Sequence, residues 1–587
     1  MIAPVGGSTL DWRRFCVRFC PEGSPVRQQC AIIVALVISE AATAQQFVRD
    51  TVARFPTQSE YTNQLSFCDV DRDGDLDIAW ANGQGYSSLG ALLKPRLFLN
   101  DGTGRFSDVT DARVAGITGC FRGVEFGDVD RDGDWDMLLA QDFARPALLL
   151  LNNNDGFFTA APAGQMPALN LGSSRGQFGD IDNDGDLDIA LCNSGTSRFG
   201  TTGKPKLYIN DGTGRFTDNT ALTPTGNVSE QMDILFLDVD QDFDLDLHVG
   251  TRTTGTQSSR LWLNNGSGTY VNQTMPTDYS CYSYDTGDFD GDGDFDLLGV
   301  NAGSSNTELL LANANGLGTS WANVSSQLTS NPTTDDNDSR FFDIDMDGDL
   351  DIVISTLGSA SERIYRNNRP TTQNFSIVTN AITAVTDSSL DVKVADVDND
   401  GDFDIVTAQG ESGAFQNQIY INSTGPADNR PPRVLKTESV VPGDAPTTHV
   451  VRAIIVDDMT SDRGFHDRGI MLAIRANQGP WNEIPMQWSG NNLWRAVMPA
   501  QPAGANVDYY ILARDWANNL GTGEVKSFVE GGTPANPADL NNDTRVDGAD
   551  MGILLGEFDT AGTLADIDGN GVVNGADLGI LLAAWTG

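Results

Sequence analysis

Histidine is almost missing from this chain: 587 residues contain three, His248, His449 and His466. So few, so far apart, make neither a zinc cluster nor a histidine-based catalytic group, and each reads as an ordinary strand or loop residue. Positive charge is also scarce, with 37 Lys and Arg against 81 Asp and Glu and a net charge of −44. Without a basic footprint the chain is not expected to bind nucleic acid. Its acidity favours cations, or simply solubility. Of seven cysteines, Cys16, Cys20 and Cys30 precede residue 45. The other four, Cys68, Cys120, Cys192 and Cys281, have no zinc-site spacing, and they allow three disulfide pairings or buried thiols. Long apolar runs are absent as well. AIIVALVIS (31–39) is too short to span a bilayer as a helix, so no membrane span is expected. Arg13, Arg14, Arg18 and Arg27 precede that run and Ala42-Thr43-Ala44 follows it. Residues 1–44 therefore read as a cleaved export signal, which predicts a secreted protein in the extracellular space or at the cell surface.

A hydrophobic content of 39% still suffices for packed cores, and the length suggests about three or four domains. Much of the acid sits in one motif. Residues 69–77 read DVDRDGDLD, and related nine-residue runs start at Asp128, Asp180, Asp238, Asp288, Asp343 and Asp396. Successive starts lie 59, 52, 58, 50, 55 and 53 residues apart, the period of a solenoid or propeller. Each run is entered from an apolar stretch and left through a β-type run such as DIAWA or DIVIS. A Gly/Ser-rich connection follows, then a strand with a hairpin signal, RLFLNDGTGRF (96–106), echoed at 206–216 and 260–270. A short last strand ends the unit. Four short antiparallel strands per repeat predict a propeller blade. The seventh repeat lacks its outer strand, and QFVRDTVARF (46–55) matches RFSDVTDARV (105–114). The N-terminal strand is therefore expected to complete the last blade and hide the open edges.

Carboxylates at positions 1, 3, 5 and 9 of each run, a position-7 carbonyl and a turn glycine at position 6 form a hard-oxygen loop suited to calcium. The candidate ligands are Asp69, Asp71, Asp73, Asp75 and Asp77 in the first run and Asp128, Asp130, Asp132, Asp134 and Asp136 in the second. The third offers Asp180, Asp182, Asp184, Asp186 and Asp188, and the fourth Asp238, Asp240, Asp242 and Asp246. The fifth offers Asp288, Asp290, Asp292, Asp294 and Asp296, the sixth Asp343, Asp345, Asp347, Asp349 and Asp351, and the seventh Asp396, Asp398, Asp400, Asp402 and Asp404. In tandem these runs resemble the FG-GAP or VCBS repeat, the repeat of integrin α-subunit propellers. The resemblance covers about residues 45–425. It implies a seven-bladed propeller over 45–428 with up to seven Ca2+ in the loops joining first and second strands. Phe243 replaces the position-6 glycine of the fourth run, where a bulky residue at positive φ is strained, so a weak or reshaped site is expected there.

Pro431 and Pro432 mark a boundary, and the β-runs over 431–532 resemble an Ig-like or fibronectin-type sandwich. Trp481, Trp488 and Trp494 read as core and hairpin packing rather than as a sugar-stacking patch. A linker (533–538) leads to two twelve-residue calcium loops, each followed by an apolar helix. The first, DLNNDTRVDGAD, offers Asp539, Asn541, Asp543 and Asp550; the second, DIDGNGVVNGAD, offers Asp566, Asp568, Asn570 and Asp577. Residues 539–587 resemble a dockerin, an all-α module of paired EF-hand-like loops, which implies two further Ca2+ and a cohesin-type scaffold partner. Thr544 stands where glycine is usual. Gly548-Ala549 and Gly575-Ala576 replace the common hydroxyl pair at positions 10 and 11, which puts the cohesin partner in question.

The expected fold is thus mainly β: a propeller, a sandwich and a small helical calcium module. The expected function is non-catalytic binding or adhesion, with a polysaccharide or an extracellular protein as ligand. The alternatives are a polysaccharide lyase or glycosidase on a propeller scaffold, and a purely structural calcium-rich surface protein. No nucleophile motif accompanies the acidic loops. Ligand recognition is expected on the face opposite those loops, where 82–95 and 193–205 are long and Gly/Ser-rich and carry Tyr86, Arg198 and Phe199.

Overall fold

In the computed structural model the described residues are 46–252, 259–276, 280–301, 307–357, 361–410, 413–443, 445–458, 469–531, 536–541, 545–561, 565–568 and 570–586. The expected export signal, Asp543, Thr544, His466 and residues 533–535 of the expected linker lie outside them.

Residues 47–422 form seven four-stranded antiparallel sheets. The first is typical. Thr62–Cys68 pairs with Asp77–Asn82, which pairs with Arg96–Asn100, which pairs with Phe106–Asp108. Its second strand is buried at every position, DIAWAN, because neighbouring sheets cover both its faces. This is why the second strands read as unbroken apolar runs rather than as alternating ones. The first strands begin at Thr62, Phe121, Gly176, Gln231, Cys281, Asp336 and Ser389. Each packs on the next, and that from Ser389 packs back on that from Thr62.

The cores lie between sheets. Cys68, Ala79 and Leu97 of the first sheet meet Phe121, Phe126 and Met137 of the second. Leu65, Ile78 and Trp80 of the first meet Val406 and Ile419 of the seventh. The seventh sheet is completed from the other end of the chain, as the repeat pattern requires. Phe47–Arg49 pairs antiparallel with Gln418–Asn422, Phe47 opposite Asn422 and Arg49 opposite Tyr420. The fold is mainly β and propeller-like. Cys120 and Cys192 are buried thiols, and Cys68 and Cys281 are buried too.

Residues 433–529 form two further antiparallel sheets around their own core, which includes Ile455, Leu472, Trp494, Tyr509 and Phe528. Trp488 and Trp494 are cross-strand partners, and Trp481 lies apart from them. Trp494 is 2% exposed, Trp488 packs on the sandwich core, and Trp481 lies edge-on to Tyr510 under Arg475. This module rests on the ends of several propeller-like sheets. Asp180 N donates to Ser489 O (2.7 Å) and Asp343 N to Asp458 O (2.6 Å). Ile454, Val456 and Leu493 share a core with Phe236, Phe243 and Leu245.

Near the C-terminus two helices, Gly548–Gly556 and Gly575–Ala583, pack together around Leu554 and Leu581. Ala538, expected as the end of a linker, is buried in that small core. No helix among the described residues is long and apolar enough to cross a membrane.

Candidate metal centres and the opposite face

Each acidic run forms the turn between the first and second strands of its sheet, so the runs gather on one side. All seven share one hydrogen-bond scheme at position 9. The position-9 carboxylate is buried and accepts twice from the backbone: Asp77 takes Val70 N (3.1 Å) and Asn100 N (2.9 Å). Asp136, Asp188, Asp246, Asp296, Asp351 and Asp404 accept from the equivalent pairs. In six loops the position-1 carboxylate closes the turn, as where Asp69 accepts Asp73 N and Gly74 N, both at 3.1 Å; in the third, both oxygens of Asp180 lack a hydrogen-bond partner.

Position 3 has no such partner. One buried oxygen, Oδ1, of Asp71, Asp130, Asp182, Asp240, Asp290, Asp345 and Asp398 accepts no hydrogen bond in any of the seven loops. A buried acceptor without a donor is costly, and here the cost recurs at one position in every repeat. Carboxylate oxygens of positions 1, 3 and 9 approach one another within 4.8 Å, as in Asp69, Asp71 and Asp77. In the second loop Asp128, Asp130 and Asp132 do so. Burial, and then the neighbouring carboxylates, push these acids up. Asp77 and Asp136 rise to about 8, Asp296 and Asp404 to about 9, and Asp128, Asp343 and Asp396 to about 6. An all-oxygen pocket with surplus negative charge and orphaned acceptors fits a hard divalent cation.

The fourth loop is not reshaped. Phe243 takes φ 72°, and its N–H still reaches Asp238 (2.9 Å), as the glycine N–H does in five of the other six loops. Its ring packs under the sandwich module, near Arg452 (5.7 Å) and Lys436 (5.5 Å). Arg452 also donates to Phe243 O (2.7 Å), Asp244 (3.0 Å) and Asn183 (2.9 Å).

Two features of the loops escape a reading of the sequence. Position 4 is also left-handed, at Arg72, Arg131, Asn183, Gln241, Gly291, Met346 and Asn399, with φ between 53° and 78°. No shared residue type signals it. The second is the asparagine ending each third strand. Asn100, Asn152, Asn210, Asn264, Asn313 and Asn367 each donate through Nδ2 to the position-2 carbonyl of the preceding loop, at 2.8–3.1 Å. These bonds join six of the seven neighbouring pairs of loops; at the sixth loop, Ile344 O accepts instead from Gln46 Nε2 (3.3 Å). An asparagine at this place in each repeat, Asn422 included, is the signal that a hairpin reading absorbs.

In the C-terminal helix pair, Asp550 accepts from Leu540 N, Asn541 N and Asp547 N, and Asp577 from Ile567 N, Asp568 N and Asn574 N. Each closes its loop and caps its helix. Asp566 accepts Asn570 N and Gly571 N, the turn expected of the second loop.

On the opposite side, six first strands carry a β-bulge at their second residue, which is Asn63, Arg122, Met232, Tyr282, Asn337 or Leu390. A bulge re-aims its side chain. These six line one pocket with Ser174 and Arg175 of the third repeat. Tyr86, Arg198 and Phe199 form its rim, so the structure brings together the three residues expected on this face. Tyr86 and Phe199 lie 4.8 Å apart, and Arg198 sits over both rings. The floor is closed by Arg175, within 3.5 Å of Asp233, Asp338 and Asp391.

Five stretches, residues 69–139, 132–191, 238–299, 288–354 and 343–407, match the family model of the FG-GAP-like repeat. No curated protein sequence matches the chain. Among solved structures, a fucose-specific lectin from Aleuria aurantia (mercury-derivative form) matches at 11% identity and a TM-score of 0.33, over 55% of this chain and 96% of the lectin. The chain thus carries FG-GAP-like repeats on a mainly β, propeller-like fold.

Proposed function

We propose that this is a secreted, calcium-binding, non-catalytic recognition protein built on a seven-bladed propeller. Calcium would occupy the seven acidic loops, held by positions 1, 3, 5 and 9 with the position-7 carbonyl. The observation that carries this reading is the orphaned position-3 oxygen in all seven repeats. Calcium suits such a site because it takes six to eight oxygens in flexible geometry, whereas magnesium demands a stricter octahedron. The opposite face, with its rim of Tyr86, Arg198 and Phe199, would bind a polysaccharide or an extracellular protein. The C-terminal helix pair would take two more calcium ions and tether the protein as a dockerin-like module.

The test is a panel of polysaccharides and extracellular-matrix proteins immobilised with and without calcium. Retention that needs calcium and leaves no new reducing or unsaturated ends is the expected result. New ends in solution would establish the lyase or glycosidase reading instead. Calcium counted by equilibrium dialysis at far fewer than seven per chain would overturn the metal assignment.

A further inference from the structure

The pocket opposite the acidic loops differs from them in chemistry. The loops repeat almost the same residues seven times. The bulge position keeps its place in the fold but changes residue from sheet to sheet, from Asn to Arg, Met, Tyr and Leu. A constant scaffold thus presents an asymmetric surface. On a protein of net charge −44 this surface gathers guanidinium groups. Arg122 and Arg198 share one buried carboxylate, Asp142, at 3.9 and 3.7 Å, too long for a hydrogen bond. Arg122 is otherwise spent on the fold: it donates to Asn63 and to the carbonyls of Gly83 and Gly85. Arg198 is not. Its side chain makes no hydrogen bond among the described residues, although the residue is 8% exposed and lines the pocket. Arg252 adds a third guanidinium, 4.9 Å from the ring of Phe199 and 5.6 Å from that of Tyr282.

We propose that this pocket binds an anionic sugar residue, whose carboxylate or sulfate pairs with Arg198 and whose ring packs on Tyr86 and Phe199. A guanidinium fork matches a carboxylate or sulfate edge with two parallel hydrogen bonds. Tyr86, 40% exposed, offers a flat face with a polar tip. The aromatic faces beside the cation favour a sugar acid over an acidic peptide. This inference rests on the proposal that the face opposite the acidic loops is the recognition surface.

The test is titration calorimetry in calcium buffer, with trigalacturonate, a sulfated disaccharide, maltotriose and a tetra-aspartate peptide as probes. One of the two anionic sugars should bind at least about tenfold more tightly than maltotriose, and which one does distinguishes carboxylate from sulfate. Arg198→Ala should weaken that binding about tenfold or more, and Tyr86→Ala should also weaken it, with melting temperatures near the parent's. Should Arg198→Ala fail to fold, Arg198→Lys keeps the charge, loses the fork and should still weaken binding. Equal binding of maltotriose that survives Arg198→Ala but not Tyr86→Ala overturns the anionic class and leaves the recognition face standing. Anionic binding untouched by either variant overturns the face itself. Tighter binding of the peptide, or binding of no probe, overturns the sugar-acid assignment.

Discussion

At the residue scale, the unusual chemistry is carboxylate held where it cannot be neutralised by its own fold. Burial raises Asp77 from 3.8 to about 8 and Asp404 to about 9, so without a cation the folded state binds protons that the unfolded state has released. Stability is then highest below about pH 4 as far as these groups are concerned, and it falls as pH rises towards 8 or 9. A bound cation removes the dependence by stabilising the charged form. The melting temperature in chelator should therefore drop steadily between pH 5 and pH 8.5, while that in calcium stays level. Parallel curves would mean that the loops hold no ion. A second prediction concerns the asparagines. Asn210 is 4% exposed and donates to Val129 O (2.8 Å) and Leu187 O (3.1 Å). Asn210→Ala strands two buried carbonyls and should cost about 2–4 kcal/mol in a denaturant titration. A loss below about 0.5 kcal/mol would show that the link between neighbouring loops is dispensable.

At the element scale, the decisive strand is a short one. Phe47–Arg49 has three residues, yet it supplies the outer strand of the seventh sheet. Phe47 is fully buried beside Phe342 and Ile382. Thr51 and Arg49 grip Gln418, and Arg54 bonds to Asp398. Removing residues 46–50 exposes the edge of Gln418–Asn422 and a hole where Phe47 sat. The shortened protein should associate through that edge and melt well below the parent in light scattering and calorimetry. A monomer with an unchanged melt would contradict closure by this strand. This strand was legible in the sequence because its match to 105–114 is local and repeated, down to the turn after it: Thr51–Arg54 and Thr110–Arg113 both form one short helix. The hairpins and acidic turns were legible for the same reason. The left-handed position 4 was not, because Arg, Gln and Met carry no turn signal there. The bulged ring around the pocket was hidden too, since its position repeats but its residues do not.

At the scale of the whole molecule, the sandwich module covers part of the acidic-loop side, and sequence patterns within either unit say nothing of a contact between them. The clue was present but pointed elsewhere. Phe243 breaks the loop pattern, and read alone it predicts a defective metal site. In the folded chain it is a wedge. Its backbone accepts about 1 kcal/mol or more of strain at φ 72°, while its ring is 8% exposed in a core shared with Ile454 and Leu493. Burying a phenylalanine in this way is worth about 3–5 kcal/mol against truncation. Around it Arg452 joins Asp244 and Asn183 of two adjacent loops, and Arg430 joins Asp458 (3.2 Å) within 3.8 Å of Asp343. Module and loops are thus coupled through charge as well as packing. Phe243→Gly separates the two accounts. Glycine relieves the backbone and empties the wedge, so a loop limited by strain would bind calcium more tightly with the module still seated. The packing observed here predicts the opposite balance: the module loosens, protease reaches the segment around Pro431 and Pro432, and a single melting transition divides into two. Retention of protease resistance and of one transition, together with tighter calcium binding, would return Phe243 to the role of a defect in its loop.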